Sequence, residues 1–221
     1  MIRVTRTKKP DVLTAKEMSW KKKIREASTD AARKAAQGKY QHVEVKKALV
    51  DMFHEKCAYC ESAITHIDYG HIEHFKPKAT PDYYELAIEW NNLLLACGRC
   101  NGAENKGAKF PLEDEDGPLV SPVEEEPSQH LSFDFDPVLK LANVLGMSRR
   151  GETTRKILGL NRPELVKRRS NFVKKLWVIA VRYHEDDAAR DIVDSAIDPK
   201  EEYVAFAQAL RAFVQARVKT Q

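Results

Sequence analysis

The 221-residue sequence lacks long apolar runs, internal repeats and any cysteine beyond four. A membrane span needs about 20 consecutive apolar residues, and no run approaches that length, which indicates a protein without transmembrane segments. The first residues, Met1 to Arg6, lack the apolar stretch of a secretory signal peptide. This predicts a reducing, cytoplasmic location, where free thiols are the rule. Two disulfides in a secreted protein are the alternative.

The four cysteines occur as two C-x2-C pairs about forty residues apart: Cys57 with Cys60, and Cys97 with Cys100. Four thiolates at this spacing are typical of a closed tetrahedral Zn²⁺ site. His54 and His66 flank the first pair, but a complete set of four thiolates leaves no coordination position for them. We therefore predict a structural zinc ion. A zinc ribbon that only binds a partner is the alternative that the cysteines alone leave open.

The residues between and directly after the cysteine pairs argue for catalysis. They include a carboxylate, an imidazole and two carboxamides: Glu73, His74, Asn92 and Asn101. Oxygen and nitrogen donors of these kinds can hold a hard divalent ion and activate water. The sequence therefore predicts a catalytic site enclosed by the cysteine pairs.

Three phrases of the sequence, Lys56 to Glu61, Ile72 to Lys78 and Trp90 to Asn101, resemble an HNH nuclease of the ββα-metal type. Two further phrases, Phe110-Pro111-Leu112 and Leu158 to Arg162, extend the resemblance to the HNH subunit of Septu anti-phage systems, which also occurs beside ATPases in some retrons. That resemblance implies a partner, an ABC/SMC-like ATPase subunit.

The resemblance implies a role for each site residue. Glu73 and Asn101 would hold Mg²⁺ or Mn²⁺, and His74 would act as the general base. Asn92 would pin the loop that carries the base, although asparagine is also a common helix N-cap. His71 is the alternative base. An imidazole of ordinary pKa predicts activity that rises from about pH 6 to 8.

Basic residues near this motif are candidates for contacts with the nucleic-acid backbone: Lys76, Lys78, Arg99 and Lys106. Phosphate contacts of this kind supply affinity that does not depend on base sequence. The alternative is an ordinary solvated face. The sequence shows no motif that reads bases.

The distribution of charge divides the chain. Leu112 to Asp136 holds nine acidic residues and no lysine or arginine, whereas the flanking helical regions are basic. We expect a flexible, solvated connector there, with a docking surface for the basic helices or a gate against nucleic acid as alternatives. The predicted organisation is an N-terminal helical segment 1–56, an HNH core 57–111, an acidic connector 112–136 and a C-terminal helical unit 137–221.

The predicted fold is mainly α, with a small ββα-metal (HNH) core stapled by the four-cysteine zinc site and a helical C-terminal unit. A high content of Ala, Lys, Glu and Arg predicts an exposed helix over Ala15–Gln37, and a second helix is expected over Val43–Phe53. Apolar spacing predicts the helices Leu165–Tyr183 and Tyr203–Val218. In the core we expect strands over Ser62–Thr65 and Gly70–Phe75 and a helix that begins near Asn92. An aromatic insertion, Tyr83 to Trp90, is expected to pack in the core rather than to stack on bases.

The residues predict a cytoplasmic, metal-dependent endonuclease with structural zinc, and the resemblance implies that it acts on foreign DNA within a defence complex. A ribonuclease, for instance one that cuts tRNA, is the alternative within the enzyme class, since such a site does not by itself distinguish the 2′-OH. A zinc-stabilised nucleic-acid or protein binding module without catalysis is the alternative from another class.

Overall fold

The computed structural model describes residues 1–216. Within that range the chain forms eight α-helices and two separate two-stranded sheets. The helices are α1 Asp11–Arg25, α2 Asp30–Gln37, α3 Val43–Met52, α4 Gly98–Asn101, α5 Arg149–Ile157, α6 Pro163–Ala180, α7 Asp187–Ser195 and α8 Val204–Ala216. The strands are β1 His71–His74, β2 Leu93–Ala96, β3 Leu131–Asp136 and β4 Leu141–Gly146. None of the described helices is long and apolar enough to cross a bilayer.

Two helices stand at the N-terminus where we predicted a single one over Ala15–Gln37. The chain leaves the helix after Arg25, and Thr29 starts α2 by accepting a hydrogen bond from the backbone N–H of Ala32 (3.2 Å). Threonine favours this cap position over a helix interior because its side chain competes for backbone groups. The next helix, α3, matches the prediction over Val43–Phe53 to within one residue.

The hairpin β1–β2 differs from the expected core. The apolar run Leu93–Ala96 forms a strand antiparallel to β1 rather than the start of a helix. All four of its residues are buried, and a short, continuous apolar run suits a buried strand as well as a helix. Ser62–Thr65 is not a strand; it contributes only an isolated bridge between Ala63 and Lys56. The short helix α4 directly follows Cys97.

The C-terminal half contains a hairpin as well as helices. β3 and β4 pair antiparallel; β4 packs on α5 and α6, and β3 packs on α8. The acidic region 112–136 is therefore not a solvated connector throughout, because Leu119 and Val120 are buried and its last six residues form β3. Val218, predicted as part of the last helix, lies outside the described residues.

One continuous cluster of buried apolar side chains joins these parts. It includes Leu13 of α1, Leu94 of β2, Val173 of α6 and Leu210 of α8. The β1–β2 hairpin alone could not bury enough apolar surface to be stable. The helices on both sides therefore supply the packing that holds the hairpin and its polar residues in place.

Candidate active site and metal centre

The four cysteines meet at one point of the fold. Their sulfur atoms all lie within 4.8 Å of one another, and the sulfurs of Cys60 and Cys97 are 4.0 Å apart. Four thiolates about 2.3 Å from a tetrahedral zinc ion would lie about 3.8 Å apart, so this donor set fits Zn²⁺. Among residues 1–216 the cluster contains only cysteines, so His54 and His66 are not part of it.

Strand pairing explains why the two cysteine pairs meet. The backbone N–H of Ala58, inside the first pair, donates to the carbonyl of Leu95 on β2 (2.8 Å). Cys97 follows β2 directly, and its sulfur accepts from the backbone N–H of Cys100 (3.4 Å). The first cysteine pair is therefore hydrogen-bonded to β2, the strand that leads into the second cysteine pair.

An arginine distant in sequence contacts this cluster. Nη1 of Arg162 lies 3.5 Å from the sulfur of Cys100 and also donates to the carbonyl of Gly159 (3.1 Å). A cation beside a group of thiolates offsets part of their negative charge. The phrase Leu158 to Arg162 is part of the family resemblance, but its position 58 to 62 residues after Cys100 does not indicate that Arg162 approaches the cysteines.

His74 is the last residue of β1 and is buried, with 5% of its surface exposed. Its Nε2 lies 3.1 Å from the carbonyl oxygen of Ala87, and its ring meets the ring of Tyr40 edge-on at 4.5 Å. A carbonyl only accepts, so Nε2 carries the proton and Nδ1 of the neutral ring keeps a lone pair. Burial, aided by the positive charge of Lys78, lowers the pKa of His74 to about 3.

Glu73 is also buried and is already paired with a cation. Nζ of Lys106 lies 2.6 Å from Oε1 of Glu73, and it donates to the carbonyl of His74 (2.8 Å). The hydroxyl of Tyr59 is 3.4 Å from the same carboxylate oxygen. Burial raises the pKa of Glu73, and the charge of Lys106 opposes that rise. Lys106, predicted as a phosphate contact, is fully buried here, and its ammonium is paired with Glu73.

Asn92 fixes the chain just after β1. Its Oδ1 accepts from the backbone N–H of Lys76 (2.7 Å), and its Nδ2 donates to the carbonyls of Lys76 (2.9 Å) and Leu86 (3.1 Å). It lies in a 3₁₀ turn, Trp90–Asn92, that leads into a strand, so it does not cap an α-helix. Both amide atoms are thus used to hold the segment that follows His74.

A cleft of about 540 Å³ brings together three of the four predicted catalytic residues, Glu73, His74 and Asn101. Its lining includes His71, Glu73, His74, Lys78 and Asn101. Glu73 and His74 are neighbours at the end of β1, which is the place where adjacent strand residues can serve one site. Glu73 and Asn101 offer the hard oxygen donors that Mg²⁺ and Mn²⁺ accept, so the donor types fit such an ion.

Two of the predicted phosphate contacts lie away from this cleft. Arg99 forms an exposed ion pair with Glu164, and Nζ of Lys76 lies 5.8 Å from the ring centre of Tyr83. Lys78 is the one of the four predicted basic residues that lines the cleft. The aromatic insertion packs as predicted at its C-terminal end, where Ile88 and Trp90 are buried.

Comparison with known proteins agrees with this geometry. Residues 57–107 match the model of the HNH endonuclease family. The chain therefore carries an HNH endonuclease domain, which contains both cysteine pairs, the β1–β2 hairpin and the cleft residues Glu73, His74 and Asn101.

Its homologues include proteins named after two kinds of system. Septu protein PtuB of Bacillus mycoides is 31% identical over 195 residues, which cover 72% of this chain and 65% of that protein. Septu protein PtuB of Bacillus thuringiensis is 37% identical over 118 residues (53% and 41%). The retron Vc95 putative HNH endonuclease of Vibrio cholerae is 27% identical over 164 residues (68% and 77%). The chain thus spans less than two thirds of either PtuB relative. No solved structure gave a significant match.

Proposed function

We propose that this protein is a divalent-metal-dependent endonuclease that hydrolyses phosphodiester bonds of foreign DNA as the effector of an anti-phage defence system. The observation that carries the proposal is the position of His74, a neutral imidazole at the end of β1, in one cleft with Glu73, Asn101 and Lys78. The HNH domain match and the names of the PtuB relatives support the same assignment.

In this proposal His74 is the general base. The carbonyl of Ala87 holds its Nε2 proton, which leaves Nδ1 to accept a proton from the attacking water. Asn92 keeps the segment after β1 in place through its bonds to Lys76 and Leu86, so that the ring does not turn away from the cleft. Lys78 supplies positive charge on the side where the phosphate enters.

Glu73 and Asn101 would hold Mg²⁺ or Mn²⁺ in the cleft. Such an ion, when bound, neutralises charge that develops on the phosphate and on the departing oxygen. The oxygen donors of Glu73 and Asn101 fit such an ion. The contact between Glu73 and Lys106, however, means that the carboxylate is not a free ligand. The four cysteines would hold one structural Zn²⁺, which also requires a reducing compartment such as the cytoplasm.

The partner in this proposal is an ABC/SMC-like ATPase subunit, in keeping with the likeness to Septu proteins. The HNH core 57–111 would carry the chemistry, and the helices of 1–56 and 137–221 would form the scaffold that meets the partner. The segment 112–136 would lie between the two.

Cleavage assays on DNA and RNA panels test this function, with Mg²⁺ or Mn²⁺ and with and without the proposed ABC/SMC-like ATPase subunit. We expect DNA to be cut, His74→Ala to abolish cutting while zinc content and DNA binding persist, and His71→Ala to retain it. A general base contributes about 10²–10⁴ in rate.

Other outcomes would replace parts of the proposal. Cutting of RNA alone would make the protein a ribonuclease, and loss of activity in His71→Ala but not in His74→Ala would move the base to His71. If the wild-type protein with partner and metal cuts neither nucleic acid, a binding module without catalysis is the correct description.

A further inference from the structure

Lys106 is an unusual neighbour for a proposed metal ligand. Its side chain has no exposed surface, and its ammonium contacts both Oε1 of Glu73 and the carbonyl of His74. Its backbone N–H donates to the carbonyl of Cys100 (3.2 Å), which anchors the residue beside the second cysteine pair. Lys106 is therefore held behind the cleft lining, against Glu73 and His74, and is not a surface side chain that moves away freely.

The pair of Glu73 and Lys106 carries no net charge, wherever their shared proton lies. The remaining charged side chains that line the cleft are Lys46 and Lys78. Lys46 donates to the carbonyl of Gly70 (2.7 Å), and Lys78 donates to the hydroxyl of Tyr40 (3.4 Å). Neither forms an ion pair with a carboxylate within residues 1–216. The charged side chains that line the cleft thus sum to a positive charge, which Asp68, close to Lys46 but outside the lining, offsets in part.

We propose that the free cleft is an anion site, in which Lys106 neutralises Glu73, and that a divalent cation binds there only together with a nucleic-acid phosphate. This rests on the proposed function and specifies the order in which the site is filled. Lys106 acts in it as a positioning residue, because it works through Glu73 and the main chain of His74.

Electrostatics gives the reason for this order. A divalent ion that approaches the cleft without nucleic acid meets two lysines and a carboxylate whose charge is already compensated, so repulsion outweighs attraction. A phosphodiester meets the same two lysines as favourable partners. Once bound, it adds one negative charge and oxygen ligands beside Glu73 and Asn101. The bound phosphodiester and the divalent ion then favour each other, and by linkage each raises the affinity of the protein for the other by the same factor.

Measurement of Mn²⁺ binding by electron paramagnetic resonance tests this order without any need for cleavage. The full chain with His74→Ala keeps the nucleic acid intact during the titration. We expect the protein alone to bind Mn²⁺ weakly. With a DNA duplex, and after subtraction of the Mn²⁺ held by the duplex itself, the affinity should be at least about tenfold higher. A factor of this size is within the usual range of coupling between two ligands. A duplex with an uncharged methylphosphonate backbone should give no such gain.

Variants of Lys106 give a second, independent readout. Lys106→Met releases Glu73 and should tighten Mn²⁺ binding to the free protein about tenfold, whereas damage to the fold would weaken it. Lys106→Arg keeps the charge and should preserve the wild-type order. Lys109→Met is the matched control, because Lys109 is exposed and does not line the cleft. Zinc content and thermal unfolding identify any variant that is misfolded.

Equal Mn²⁺ affinity with and without charged DNA would overturn the proposed order but leave the nuclease proposal intact. Unchanged or weaker Mn²⁺ binding in a folded Lys106→Met protein would overturn the role of Lys106. If the protein with DNA binds no Mn²⁺ at all, both the order and the metal-dependent function are wrong.

Discussion

The guanidinium of Arg162 lies 3.5 Å from the sulfur of Cys100, which connects the start of α6 to the cysteine cluster. The two residues are 62 positions apart in sequence. A metal centre at the cysteines would therefore stabilise the hairpin and also the junction between the HNH domain and the C-terminal helices.

The first prediction concerns this centre. The purified protein should contain about one zinc ion per chain, and Cys57→Ser or Cys100→Ser should give insoluble protein, because structural zinc contributes on the order of 10 kcal/mol to folding in small domains. Elemental analysis checks the stoichiometry. Soluble, folded protein without zinc would contradict the assignment.

The second prediction concerns Arg162. Arg162→Met should speed the release of zinc to a chelator, since removal of a group that contacts a metal ligand typically costs 10–100-fold in metal affinity. A colorimetric zinc-release assay measures the rate. Arg168→Met is the control, because Arg168 pairs with Glu202 on the surface instead. Equal release rates in the two variants would show that Arg162 does not support the centre.

The third prediction concerns Asn92. Asn92→Ala should lower the single-turnover rate and destabilise the protein by about 1–3 kcal/mol, because it leaves the backbone groups of Lys76 and Leu86 without their partners. The exposed neighbour Asn91 provides the control variant, Asn91→Ala, which should behave as wild type. Rates and chemical denaturation measure the two effects. Full activity in Asn92→Ala would show that this residue is not needed for catalysis.

The fourth prediction concerns pH. The sequence alone suggested activity that rises between about pH 6 and 8, but burial lowers the pKa of His74 to about 3. The ring of His74, the proposed base, is then already neutral at pH 6, so the activity should show no step near pH 6.5 that depends on His74. A pH profile of single-turnover rates checks this, and a midpoint near 6.5 would contradict the burial of the ring.

The lowered pKa of His74 also makes the free energy of unfolding depend on pH. Unfolded His74 binds a proton below about pH 6.5, whereas the folded residue does not until about pH 3. The stability that His74 contributes is complete above pH 6.5 and is lost as pH falls from there to about 3. His74→Asn should therefore flatten the dependence of unfolding free energy on pH in this interval. An unchanged slope would show that the ring titrates normally.

The fifth prediction concerns the acidic segment. Glu113 and Asp114 are exposed, and neither lines the cleft. The double variant Glu113→Gln, Asp114→Asn should alter partner binding or its salt dependence, because exposed charges act over about 10 Å at an ionic strength of about 0.1 M and farther at lower salt. Its chemical step and unfolding temperature should not change. A loss of single-turnover rate as large as that of Glu73→Gln, with binding intact, would place the segment in the site.

Local sequence signals were enough to identify the cysteine cluster, the helix α3 and the group of Glu73, His74 and Asn101. They failed where the outcome depends on distant parts of the chain. The four-residue run Leu93–Ala96 became a strand because β1 was available to pair with it. The burial of Lys106 against Glu73 joins residues 33 positions apart, and an isolated lysine after a cysteine pair gives no sign of such a partner.

The pairing of β1 with β2 sets Glu73 opposite Leu94 and His74 opposite Leu93. A shift of one residue in either strand would turn every side chain of that strand to the other face of the sheet. Insertions or deletions are therefore tolerable in the exposed loop 65–69 but not within Leu93–Ala96. Natural variants whose length differs between the two cysteine pairs should carry the extra or missing residues in that loop rather than in β1 or β2. A single codon added between Asn92 and Cys97 should abolish the proposed nuclease activity without any change in the polar residues.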